Sequence, residues 1–199
     1  MSPAGLNAGA NEEGYRMFRT LAAAALAVGL AVPALAQAPA VDPQNTVYLD
    51  TKDGRVTIRL RPDLAPKHAE QIKTLVKRGF YDGVVFHRVI DGFMAQTGDP
   101  TGTGTGGSDL PNLPAEFTPT PFKRGTVGMA RSQSPNSANS QFFICFDGCG
   151  SLTGQYTVVG EVTSGMDAVR KIKAGTAANN GAVSSPDKIV KMQLAADAR

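Results

Sequence analysis

The chain has 199 residues, with 20 Lys and Arg against 17 Asp and Glu, a net charge of +3, 42% hydrophobic and 19% charged residues. Such a composition supports one domain with a sizeable core and excludes an intrinsically disordered polypeptide. The mild positive charge is evenly spread, and no Lys/Arg block is interleaved with aromatics, so nucleic acid is not an expected partner.

Residues 1–16 read as an upstream extension, with Met17 an alternative start. Arg16-Met17-Phe18-Arg19 precedes an apolar run from Thr20 to Val32, and Ala34-Leu35-Ala36 places small residues where signal peptidase reads them. A positive n-region, a short h-region and an A-x-A site predict a secretory signal peptide over 17–36. The run is shorter than the ~20 residues that span a bilayer, so a permanent membrane helix is the weaker reading. An Ala-rich domain helix is the other alternative. Cleavage would leave about 160 residues, enough for one compact domain. The expected destination is outside the cytoplasm, in the periplasm of a two-membrane envelope.

Residues 37–45 read as a short Ala/Pro tether, and 46–195 as the domain. Thr46–Thr51 and Arg55–Leu60 alternate apolar and polar residues around Lys52-Asp53-Gly54, the pattern of a hairpin. Pro62 to Pro66 breaks the strand. A helix follows over Lys67–Arg78, with Ile72, Leu75 and Val76 on one face, Pro66 in its first turn and Gly79 as its stop. His68, in this helix, is expected to face solvent.

Beyond it come short β-like segments at 84–90, 93–98, 126–130, 141–146, 157–163 and 188–194, with one further helix around 166–173. Many short strands with few helices suggest an all-β-dominated fold, a closed antiparallel barrel. The Gly/Thr run Thr101–Gly107 has the composition of a phosphate-binding loop but lacks its Lys-Ser/Thr ending, and reads as a structural loop. Cys145 and Cys149 are expected as free thiols. A disulfide remains open to an exported chain if the backbone turns sharply at Asp147-Gly148. No His lies near enough in sequence to complete a zinc site.

The most informative stretch is Phe86-His87-Arg88-Val89-Ile90-Asp91-Gly92-Phe93-Met94-Ala95-Gln96-Thr97-Gly98-Asp99. It places a permanent cation, an amide and two large apolar side chains within one strand–turn–strand unit. On an extended strand Phe86 and Arg88 share a face and His87 points away. Ser140-Gln141-Phe142-Phe143-Ile144 adds a second apolar, amide-bearing strand.

Together these segments resemble the signature of the cyclophilins, the peptidyl-prolyl cis–trans isomerases, over roughly Thr46 to Leu194. The resemblance implies an eight-stranded barrel with a helix covering each open end, and an activity on X–Pro bonds of unfolded or partly folded polypeptides. It makes Arg88 the catalytic residue. Phe93, Met94, Phe143 and Leu152 become the proline pocket, Gln96 the amide that bonds the substrate backbone and helps orient Arg88, and Gln141 either a second such amide or a group that satisfies buried backbone. Ala130, Arg131 and Tyr156 line the peptide groove. His87 is expected to be a hydrogen-bonded structural residue, since isomerisation moves no proton.

Three positions depart from the best-known eukaryotic members. Ser151 stands where a tryptophan contacts cyclosporin, Tyr156 replaces a histidine, and Arg131 an asparagine, so cyclosporin should bind weakly. No metal, nucleotide or organic cofactor is implied, and a monomer is the default. A peptide-binding or chaperone module that keeps the groove without catalysis is the main alternative. A serine hydrolase fails for want of a Gly-x-Ser-x-Gly elbow.

Overall fold

The computed structural model describes residues 42–198. The expected signal peptide at 17–36 lies outside them. Residues 42–45 form a turn in which the Asp42 carboxylate accepts from the Gln44 N–H at 3.0 Å and from Asn45 Nδ2 at 2.7 Å. Pro43 O accepts from the Ala196 N–H, tying this turn to the end of the domain.

Eight strands and two helices follow. They are β1 (Thr46–Thr51), β2 (Gly54–Leu60), α1 (Pro66–Lys77), β3 (Arg88–Ile90), β4 (Met94–Thr97), β5 (Thr126–Met129), β6 (Phe142–Cys145), β7 (Val158–Ser164), α2 (Met166–Arg170) and β8 (Lys191–Leu194). All pair antiparallel in one sheet of order β3-β4-β6-β5-β7-β2-β1-β8, curled into a half-barrel.

The β1–β2 hairpin forms as the sequence predicts, with Val47 opposite Ile58 and Leu49 opposite Val56, all four buried. Gly54 closes its turn at φ 133°, a conformation open to glycine and costly for any other residue. Helix α1 buries Ala69, Ile72, Leu75 and Val76 against the same core, which also holds Tyr81, Phe86, Phe142, Ile144 and Leu194. Each fully buried large apolar side chain contributes about 1.5–3 kcal/mol relative to exposure.

The ring is not closed by a continuous ladder, as the strand count had suggested. The expected strand at 84–90 is regular only from Arg88, and that at 188–194 only from Lys191. Between these edges lie a single bridge, Val85 to Lys188, and backbone bonds from Gly83 to Ile189, Phe86 to Asp187 and Ile189 to Val84. Gly83 sits at φ 80°, and Pro186 has no N–H to donate, so neither flank sustains a regular strand there.

Two other expectations are corrected. His68 is fully buried, its Nδ1 2.6 Å from Glu116 Oε2. Helix α1 has no side-chain cap of its own, and Glu116, from the loop before β5, takes the backbone N–H groups of Lys67 and His68, both at 3.2 Å. A carboxylate at a helix N-terminus is favourable, and its arrival covers the histidine beneath it. Burial works against the Glu116 carboxylate, but the His68 ring and these N–H groups outweigh it and lower its pKa.

Cys145 and Cys149 are not free but joined in a disulfide, their Cα atoms 6.0 Å apart. The turn at Asp147-Gly148 brings them together, with the Gly148 N–H donating to Gly92 O.

Candidate active site

Strand register builds the site. Arg88 pairs with Gln96, Gln96 with Phe143, and Phe143 with Gly128, so β3, β4, β6 and β5 carry one transverse row. The next row along, Val89, Ala95, Ile144 and Val127, points the other way into the main core. This is strand alternation applied across four strands. Phe86, expected on the face of Arg88, packs instead in the main core, because the chain becomes a regular strand only at Arg88.

Arg88, Phe93, Met94, Gln96, Ala130, Arg131, Phe143, Leu152 and Tyr156 line one cavity of about 180 Å³. Gln141, the remaining sequence candidate, lies next door. It lines a larger polar groove of about 530 Å³ that shares Gln96, Ala130 and Arg131 with the cavity. The fold therefore brings every candidate residue to one place.

The cavity wall is apolar and braced. The Phe143 ring packs edge-on to Tyr156, centroids 5.8 Å apart, and stacks on Phe122 at 5.9 Å. Room for it comes from Gly128, where a Cβ would meet the Phe143 ring at 2.5 Å and Phe122 at 2.6 Å. Gly128→Ala should therefore destabilise the protein by about 1–3 kcal/mol through overpacking and lower its activity by tilting Phe143. Urea unfolding and an isomerisation assay on the same preparation check both, and unchanged values would show that the ring can yield. Leu152 sits on a short 3₁₀ turn, Gly150–Leu152, that begins at Cys149, so the disulfide ties this wall to β6.

Arg88 stands at the rim, held on two sides. Its Nη1 donates to Gln96 Oε1 at 3.2 Å, its Nε to Asn180 O at 2.9 Å, and its Nη2 to Asn180 Oδ1 at 3.0 Å. Burial lowers its pKa from the ordinary arginine value, with the nearby Tyr156 acting the other way. Arginine titrates so far above neutrality that the cation is kept at any working pH.

Behind it runs a relay of neutral groups. Gln96 Nε2 donates to Gln141 Oε1 at 2.9 Å, and Gln141 Nε2 donates to Gly104 O at 3.1 Å and Gly106 O at 2.8 Å. The Gly/Thr loop that supplies those carbonyls wraps the buried Asp99 carboxylate. Asp99 accepts from the N–H groups of Thr101, Gly104 and Gly106 at 2.8, 2.6 and 3.1 Å, and from Thr101 Oγ1 at 2.8 Å. The amide groups a phosphate loop would offer a ligand are thus already spent on an internal anion.

His87 is buried and turned from the cavity, as expected, but neither ring nitrogen makes a hydrogen bond of good geometry. A Cβ added at Gly104 would lie 3.5 Å from its ring, so the loop passes close beside the imidazole. Burial lowers its pKa.

Asn180 is the residue that sequence reading missed. Its left-handed backbone, φ 50°, turns both its carbonyl and its amide oxygen onto Arg88. The one signal was the turn-forming Asn-Asn-Gly at 179–181, which does not reveal a partner 92 residues away. Asn180→Gly keeps the backbone conformation and the carbonyl but removes the side-chain acceptor. It should lower kcat/KM by roughly 3–10-fold with little change in unfolding midpoint. A large drop in the midpoint, or no drop in kcat/KM, would show that the side chain does not position Arg88.

The family model for cyclophilin type peptidyl-prolyl cis-trans isomerases matches residues 46–194. A Brucella suis protein described as a probable peptidyl-prolyl cis-trans isomerase is 60% identical over 192 residues, covering 91% of this chain and 98% of its own. An Aspergillus fumigatus peptidyl-prolyl cis-trans isomerase-like 1 is 42% identical over 130 residues, covering 63% and 80%. Among solved structures, a Hirschia baltica cyclophilin superposes with a TM-score of 0.71 at 29% identity, covering 80% of this chain and 77% of its own. A Cryptosporidium parvum cyclophilin type isomerase, crystallised in the presence of the dipeptide Ala-Pro, gives 0.68 at 28% identity, covering 75% and 98%. The chain belongs to the cyclophilin type peptidyl-prolyl cis-trans isomerase family. Its enzymatic activity is the cis–trans isomerisation of peptidyl-prolyl bonds.

Proposed function

We propose that Arg88 is the group that accelerates this rotation, and that the substrates are proline-containing segments of exported polypeptides still folding. The observation that carries the reading is the position of the Arg88 guanidinium at the rim of the apolar cavity walled by Phe93, Met94, Phe143, Leu152 and Tyr156.

Rotation about an X–Pro bond breaks amide resonance, with a barrier of ~18–20 kcal/mol. No covalent step is needed, so catalysis reduces to binding the twisted amide better than either planar form. The cavity grips the pyrrolidine ring by contact with aromatic faces and the adaptable Met94 thioether. As resonance is lost the prolyl nitrogen regains its lone pair, and a fixed N–H donor of Arg88 stabilises it. Gln96 and Asn180 hold the guanidinium in place before substrate arrives, so little reorganisation accompanies the step.

The peptide on either side of the proline runs along the groove past Ala130, Arg131 and Gln141. The enzyme acts as a monomer, and the signal peptide directs it to the periplasm. Ser151, next in the chain to the cavity residue Leu152, carries no indole, so cyclosporin binds weakly.

Exchange spectroscopy on a capped proline peptide tests the proposal. Catalytic amounts of the protein should accelerate cis–trans exchange, and the acceleration should depend on Arg88. Binding of the peptide with no acceleration would make the protein a peptide-holding module instead.

A further inference from the structure

Among the described residues, the cavity and the groove beside it are lined by two charged ones, Arg88 and Arg131, and by no carboxylate. Every hydrogen-bonding partner of either guanidinium is a neutral oxygen. Arg88 donates to Asn180 and Gln96, and Arg131 donates to Gln155 O, Ser132 O and Gln133 O. Elsewhere on the described surface arginines do find carboxylates, as Arg55 does with Asp50 and Arg61 with Asp63. The substrate site thus holds two positive charges with no counter-ion among the described residues.

Arg131 lies where the two spaces meet, since it lines both. Its guanidinium is fixed: Nε and Nη2 share Gln155 O at 3.3 and 3.1 Å, Nη1 reaches Ser132 O at 2.9 Å, and the plane lies over the Tyr156 ring at 4.6 Å. Such a fork is already ordered before any ligand binds. Nη2 keeps one N–H free, and the Tyr156 face that supports the cation is itself part of the cavity wall.

We infer that Arg131 makes this isomerase selective for charge, favouring substrates with an acidic side chain near the proline and disfavouring those with a basic one. The inference rests on the isomerase reading of the same site. An incoming carboxylate meets a pre-set donor at the protein surface, where charge interactions are stronger than between ions free in bulk water. An incoming ammonium meets the same fields with the opposite sign, so the two substrates are driven apart from both directions.

The test uses capped hexapeptides with one proline and one variable residue, Glu, Gln or Lys, at each of the three positions before the proline in turn. Exchange rates give kcat/KM, and titration of the same peptides gives Kd, so the preference is read in binding as well as in catalysis. At one position or more, the Glu peptide should exceed the Lys peptide by on the order of 10-fold at low salt. That ratio should shrink to about 2 in molar salt, where the screening length falls to a few ångströms. Arg131→Gln should bring the low-salt ratio to about 2 or less, and Arg131→Lys should retain most of it.

A Glu-to-Lys ratio below 2 at all three positions, or one that survives Arg131→Gln, would overturn the inference. Failure of the isomerase reading has a different signature: the neutral Gln peptide would bind without faster exchange, while the Kd ratios would still report the charge preference.

Discussion

Replacing Arg88 by alanine is expected to lower kcat/KM for proline isomerisation by about 100–1000-fold, the range seen when one preorganised donor to a transition state is removed. The loss should fall on kcat, because the apolar cavity that grips the ring is left intact. Four of its walls, Phe93, Met94, Phe143 and Leu152, do not depend on the guanidinium for support. Arg88→Lys should recover little. A lysine ammonium cannot accept the clamp in which Nε and Nη2 meet the two oxygens of Asn180 while Nη1 meets Gln96. Peptide affinity, measured by titration, should change by only a few-fold. If affinity collapses together with rate, Arg88 is a ground-state binding group and the transition-state argument fails.

The largest effect on stability is expected at Asp99. Its carboxylate is fully buried and gathers three backbone N–H groups and a threonine hydroxyl from the loop at 101–106. Burial raises the pKa of such a group, but the hydrogen bonds from Thr101, Gly106 and Gly104 outweigh it and hold the value at about 2, below the ordinary 3.8. The folded form therefore binds this proton more weakly than the unfolded chain does. The stabilisation is fully present above pH ~4 and is lost as the pH falls through about 2, and it is worth about 2 kcal/mol.

Asp99→Asn keeps the shape but turns one acceptor into a donor facing other donors, and should cost about 3 kcal/mol at neutral pH. The variant should also lose part of the parent's acid sensitivity between pH 2 and 4. Urea unfolding across that pH range measures both, and a neutral-pH cost under 1 kcal/mol would mean that the glycine-rich loop holds its shape unaided. Because Gln141 rests on the carbonyls of Gly104 and Gly106, the variant should lower activity as well.

The site was far more legible than its supports. Arg88, Phe93, Met94 and Gln96 lie within nine consecutive residues, so a hairpin pairing suffices to bring them together, and that pairing follows from local pattern. Phe143 and Gln141 were found through the apolar strand that carries them. Asn180 escaped because its contact with Arg88 depends on a left-handed turn at the end of a long irregular segment, which leaves no periodicity to read.

His68 was misplaced for a similar reason. A helix position is judged from its own helix, while the residue that buries His68 arrives from Glu116, 48 residues on. The cysteines show the limit of spacing alone, since their pairing depends on the close turn at Asp147-Gly148 and not on their separation in sequence. Strand ends were overdrawn at 84–87 and 188–190, where apolar residues continue but regular pairing does not.

The sheet order also bears on how such a chain comes to be folded. The first strand, β1, lies between its hairpin partner and the last strand, β8, with Val47 set against Leu194. One flank of β1 therefore stays open until nearly the whole polypeptide is available, and contacts so distant in sequence are the slow ones to form. The β3–β4 hairpin asks for no such wait, because its partners are neighbours along the chain. A nascent molecule can thus possess the hairpin that carries Arg88 and Gln96 early, yet remain without the apolar cavity beside it until β5, β6 and the turn bearing Leu152 have joined it. Time is in this sense part of the architecture: the Arg88 hairpin is local, the apolar cavity beside it is global, and only the finished fold unites them.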